Sequence, residues 1–102
     1  MAYRIEVSGE AEVDLRSLRA TEQRRVRAAL PQYLTNEITA PSNARKALAS
    51  NPFGVAWELR LGPLRAFYDV DDAAQVVRVE RVGYKRGNDL YVRGRRVDLR
   101  SE

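Results

Sequence analysis

The chain has 102 residues, 44% of them hydrophobic and 31% charged, enough for one compact core and too few for two domains. It contains neither cysteine nor histidine, which excludes disulfides, thiol chemistry, and histidine-based metal sites or acid–base pairs. Eighteen Lys and Arg against fourteen Asp and Glu give a formal charge of +4 and a pI near 9.8; because only Lys46 and Lys85 are lysines, the excess is guanidinium, whose planar fork suits phosphate and favours polyanionic partners.

Residues 2–7 alternate, with Tyr3, Ile5 and Val7 on one side, and predict a half-buried strand. Ser8 is placed to cap a helix in which Ala11, Leu15 and Leu18 form one apolar stripe, with Glu10 and Glu12 near its positive end. A second helix is expected from about Thr21, a possible cap, through Val26, Ala29, Leu30, Tyr33 and Leu34. Pro31 interrupts it, and the continuing apolar spacing predicts a kink rather than a stop. Residues 39–55 read as a long connection with about one helical turn.

Strands are then expected over 56–61, 64–70 and 76–82, joined by a Gly62-Pro63 turn and a 71–75 loop. A Gly83–Asp89 loop and a last short strand over 90–93 follow. The order predicts an α+β fold, in one domain over 1–102: an N-terminal strand, then a two-helix hairpin packed on an antiparallel sheet of about four strands. No apolar run approaches the length of about 20 residues that spans a bilayer, and the N-terminus has no export pattern, so the expectation is a cytoplasmic protein without membrane association.

Two clusters carry candidate chemistry. With Gly62-Pro63 as a two-residue turn, Arg60 lies across from Arg65, an opposition of like charges that persists when a carboxylate compensates it or an anion is held there. Glu58, on the same face, supplies the first option. The second cluster, Gly83 to Tyr91, places Lys85 and Arg86 between Tyr84 and Tyr91, which suits phosphate on the cations and a base on a ring. Asp69, Asp71 and Asp72 lack the spacing of a calcium loop, so neither a metal nor any other cofactor is expected.

The helix pattern Ala11, Leu15, Leu18, then W-E-L-R-L-G-P-L-R over 57–65, then V-G-Y-K-R-G-N-D-L-Y over 82–91 resembles the RelE/ParE toxin superfamily along nearly the whole chain. The resemblance implies a microbial-RNase-like α+β fold and an antitoxin partner. It further implies metal-independent, ribosome-dependent cleavage of mRNA in RelE-like members, or inhibition of DNA gyrase in ParE-like ones. It assigns the scissile phosphate to Arg65, base contact or proton movement to Tyr91, and a family arginine's place to Lys85. Glu58 is then a proton acceptor or a brace for Arg65. The lysines that active relatives carry before the turn are replaced by Ala56 and Glu58, which leaves a catalytically decayed RNA- or partner-binding domain as a further option. Arg45, Lys46, Arg60, Tyr84, Arg86 and Arg93 complete the expected RNA-binding set.

Overall fold

The computed structural model describes residues 2–35, 42 and 44–98; the ends of the 39–55 connection and of the basic C-terminal segment partly lie outside them. The order is β1 (Arg4–Val7), α1 (Gly9–Arg16), α2 (Ala20–Tyr33), β2 (Arg45–Ala47), β3 (Trp57–Leu61), β4 (Leu64–Asp71), β5 (Val76–Arg86), β6 (Asp89–Val92) and β7 (Arg95–Val97). The strands form one sheet in the order β2-β3-β4-β5-β6-β7, while β1 runs parallel to β5 on the edge that β6 also uses. No described helix is long and apolar enough to cross a membrane.

The expected α+β class holds, with seven strands in the sheet among the described residues rather than about four: the N-terminal β1 joins it, and two further strands are additions. One addition is β2, inside the stretch read as a loop with a helical turn. Arg45 and Ala47 give it no hydrophobic alternation of its own, and it is a strand because β3 offers a free edge. Another is β7, which turns back on β6 through Arg93 and Gly94, at φ +53° and +77°. Backbone of that hand is what a tight antiparallel hairpin requires. The Gly83–Arg86 segment is not a loop but the end of β5, paired with β6. Gly83 is required there, because a Cβ would collide with the Tyr91 carbonyl oxygen and the Val92 side chain.

Ser8 caps α1 as expected, its Oγ accepting from the Ala11 N–H at 3.0 Å while donating to the Glu80 carbonyl at 2.9 Å. The start of α2 differs: Arg19 is the capping position, its N–H bonded to the Glu22 carboxylate at 3.3 Å, and Thr21 lies inside the helix. The helix continues past Pro31 to Tyr33, because Leu30 and Leu34 are buried on either side of it. Apolar burial thus outweighs the one backbone bond that proline removes.

Alternation sorts the sheet into two packed faces. One face buries Leu59, Leu61, Leu64, Ala66, Tyr68, Val77, Val79 and Val82 against Ala11, Leu15, Val26, Ala29, Leu30 and Leu34 of the helical layer. The other carries a smaller core that the sequence reading missed, in which Phe67, Leu90 and Val92 pack with Val55, Leu48, Phe53 and Val97. Asn51 folds the 48–55 segment over that face, its amide donating to the Ala49 and Val55 carbonyls at 2.8 Å each.

Candidate nucleic-acid interface

The β3–β4 turn has the predicted register: Leu61 faces Leu64 and Arg60 faces Arg65. Gly62 takes φ +61° to close it. The opposed cations are compensated from below. Glu58, only 3% exposed, accepts from Arg60 Nε at 2.8 Å and stands 3.9 Å from Arg65 Nε. Arg65 is 13% exposed and lies along the turn, its Nη1 donating to the Gly62 and Leu64 carbonyls. Burial lowers the pKa of its guanidinium, against the opposing pull of Glu58. Its Nε is a buried donor with no hydrogen-bond partner. Such donors are uncommon, since leaving one unmade costs on the order of 1–3 kcal/mol.

Strand register brings further cations to this face. Lys46 of β2 is directly opposite Glu58 and forms no ion pair with it. Arg65 pairs with Gly83, so Lys85, two residues on, shares its face on the hairpin side. Glu58 is one strand over from Arg65 and two residues along in the other direction. Glu58, Arg65 and Lys85 therefore lie on one diagonal, Arg65 in the middle, with steps of about 8 Å set by strand spacing and rise. Lys46, Arg60, Arg65 and Lys85 make this a cationic surface.

The rest of the expected site is not here. Tyr91 pairs with Tyr84 on the helix side, the two rings stacked at 5.5 Å, and so does not join Arg65 and Lys85. The reason is the side-chain period of two: Lys85 sits between Tyr84 and Arg86, and once 83–86 is strand rather than loop, consecutive residues take opposite faces. Arg86 accompanies Tyr84, its guanidinium 6.0 Å from the ring centroid. Arg45 also faces the helices, donating to the Tyr33 carbonyl at 3.2 Å.

Arg93, expected to bind RNA, is instead tied to acidic groups of α1 from the surface. It donates from Nε to Asp14 at 2.6 Å and from Nη2 to the Glu10 carboxylate at 2.8 Å, and these bonds raise its pKa. Asp14 is fully buried and accepts four bonds, from Arg81 Nε at 2.7 Å, Arg81 Nη2 at 3.1 Å, Arg93 Nε, and the Val82 N–H at 3.0 Å. It fills the gap on the β5 edge between β1 and β6, where Val82 lacks a strand partner. Sequence reasoning missed this group. The available signal was an aspartate inside the apolar stripe, three residues from Ala11 and four before Leu18. Among the described residues no cluster of carboxylates is arranged to hold a metal ion.

No family model matches the chain, and no curated protein matches it by sequence. Solved structures do. The toxin–antitoxin complex RelBE2 of Mycobacterium tuberculosis has a chain 22% identical to this one, with a TM-score of 0.71 over 83% of this chain and 93% of that one. An arginine-to-alanine double mutant of Escherichia coli toxin RelE in the free state is 26% identical, with a TM-score of 0.63 over 82% and 84%. YafQ from E. coli is 19% identical, with a TM-score of 0.53 over 81% and 93%. With its two helices on an antiparallel sheet, its register through the W-E-L-R-L-G-P-L-R turn and these neighbours, the chain has the fold of the RelE and YafQ toxins, which supports the resemblance to the RelE toxin superfamily.

Proposed function

We propose that this protein is the toxin of a type II toxin–antitoxin pair and cleaves mRNA on the ribosome without a metal ion. The observation that carries the reading is the buried Arg65 Nε, which has no hydrogen-bond partner and only a long ion-pair contact to Glu58, at the centre of a face bearing Arg60, Lys46 and Lys85. An anionic oxygen supplied by a phosphodiester satisfies that donor once the Arg65 side chain lifts from the Gly62 and Leu64 carbonyls, and it relieves the opposition of Arg60 and Arg65. The structural neighbours include the intact E. coli RelBE toxin–antitoxin complex, at 25% identity, which supports a cognate antitoxin as partner.

In this reading the RNA 2′-hydroxyl attacks the adjacent phosphorus and the bond to O5′ breaks, leaving a 2′,3′-cyclic phosphate and a 5′-hydroxyl. Arg65 stabilises the charge that builds on the phosphorane, which well-aligned donors do by about 2–4 kcal/mol. Lys85, at one end of the diagonal, gives its proton to O5′; Glu58, at the other, takes the proton of the 2′-hydroxyl once the phosphate draws Arg60 away from it. Arg60 and Lys46 hold flanking phosphates. The ribosome's positioning of the substrate carries much of the rate.

The test is inducible expression of the wild-type chain and Arg65→Ala, with mRNA ends mapped on translating ribosomes. New ends with the wild type and none with the variant support the reading. Equal toxicity of the two strains removes the assignment of Arg65. Intact mRNA together with gyrase-dependent DNA damage replaces nuclease by gyrase inhibitor, a function that the lysine-free β3 accommodates.

A further inference from the structure

The aromatic half of the 82–91 segment, turned away from Arg65, forms a site of its own. Tyr84 and Tyr91 stack with 15° between their planes, so Tyr91 backs one face of the Tyr84 ring. Arg86 lies over Tyr84. The turn between α1 and α2 closes the space below, and Ser17, Leu18, Arg19 and Glu22 with Tyr84 and Arg86 line a cleft of about 240 Å³. The Glu22 carboxylate is turned to the backbone N–H of Arg19. Among the described residues no carboxylate forms an ion pair with the side chain of Arg19 or Arg86.

The spacing is informative. Direct stacking brings flat groups to about 3.5 Å, so a base held between two of them needs about 7 Å. Arg86 Cζ is 6.0 Å from the Tyr84 centroid, the outer limit of a cation–π contact and beyond close stacking, so the guanidinium is loosely held over the ring. A guanidinium and a phenol ring bounding one slot, with a second uncompensated guanidinium beside it, match the flat base and charged phosphate of a nucleotide.

We infer that the Tyr84–Arg86 slot is a second nucleotide subsite, on the helix side of the sheet, that sandwiches one base of a single-stranded RNA while Arg19 takes an adjoining phosphate. The inference rests on the RNA reading of the opposite face and extends it. Lys85 and Arg86 are consecutive at the β5–β6 tip and point to opposite faces, and Gly87 at the tip faces open space. A strand leaving Arg65 passes Lys85, rounds the tip and reaches Arg86 without crossing the protein.

The experiment uses the full chain and a fluorescein-labelled 2′-O-methyl oligouridine, which cannot be cleaved, with binding read by polarisation. Arg86→Ala and Tyr84→Leu weaken binding by about tenfold each, the scale of one lost base–aromatic contact, and Tyr84→Phe keeps it. The exposed Arg19→Glu/Arg86→Glu pair gives the same loss should Tyr84→Leu fail to fold. A 5-bromouridine form of the oligonucleotide crosslinks to Tyr84. Unchanged affinity in the double variant, or crosslinks confined to the Arg60–Arg65 face, overturns the subsite. So does a double variant that still binds RNA but no longer co-purifies with its antitoxin, since the cleft is then a protein contact. The nuclease reading fails on a different measurement, unchanged mRNA ends in Arg65→Ala.

Discussion

Two buried carboxylates in this fold each sit between two arginines, and they are finished differently. Asp14 has every acceptor position filled, two bonds to each oxygen, from Arg81, Arg93 and the Val82 backbone. Glu58 takes one short bond from Arg60 and leaves Arg65 Nε at 3.9 Å, buried and without a hydrogen bond. Each is a carboxylate with two arginines, so the kind of charged group does not separate a brace from a site. Saturation does, because a closed network has no remaining demand for a ligand whereas an orphaned buried donor does.

The largest expected effect is on the closed cluster. Asp14→Ala leaves two guanidiniums and an edge N–H without their acceptor. Loss of a buried ion partner costs about 3–5 kcal/mol, taken at the low end here because Arg81 and Arg93 are 26% and 35% exposed. Urea unfolding reads this, and a loss below about 1 kcal/mol would mean that the cluster is not the brace described.

Arg65→Ala should do the reverse. Stability changes by less than about 1 kcal/mol, since the variant also removes an unsatisfied donor, while the proposed ribosome-dependent cleavage falls by about 10²–10³-fold. A protein that instead unfolds makes Arg65 structural and dissolves the contrast with Asp14.

Glu58→Gln sharpens the comparison. The amide still accepts from Arg60 but takes no proton, so cleavage drops by about 10² with folding intact. Full cleavage by this variant would reduce Glu58 to a holder of arginines. Lys85→Ala follows, at about tenfold in cleavage, the scale of removing one half-buried cation from a developing charge; no change would move the leaving-group proton elsewhere.

The smallest effect belongs to Glu12 and Arg27, which pair at the surface between α1 and α2. The hydrogen bond from Arg27 holds the Glu12 carboxyl below its ordinary range. Its contribution is therefore present above the unfolded carboxylate pKa and fades as pH falls through the lower folded value. Glu12→Gln should cost no more than about 1 kcal/mol at neutral pH, with the difference from wild type vanishing in acid.

Much of this was legible in the residues alone. Ser8 as a cap, Ala11 with Leu15 in α1 (Leu18 falls just past its end at Arg16), the stripe of α2 and its survival past Pro31, and Arg60 facing Arg65 with Glu58 between them all follow from local rules whose range is a few residues. β2 and β7 were not legible, because neither has a pattern of its own and each exists as the partner of a neighbouring edge. The division of Lys85 from Tyr84, Arg86 and Tyr91 was also decided by tertiary structure. A loop would let all four converge, whereas pairing with β6 imposes a period of two and sends them to opposite faces. Sequence determined which charges the chain carries; the sheet edges that happened to be free determined which of them meet, since backbone pairing, unlike propensity, depends on what lies alongside.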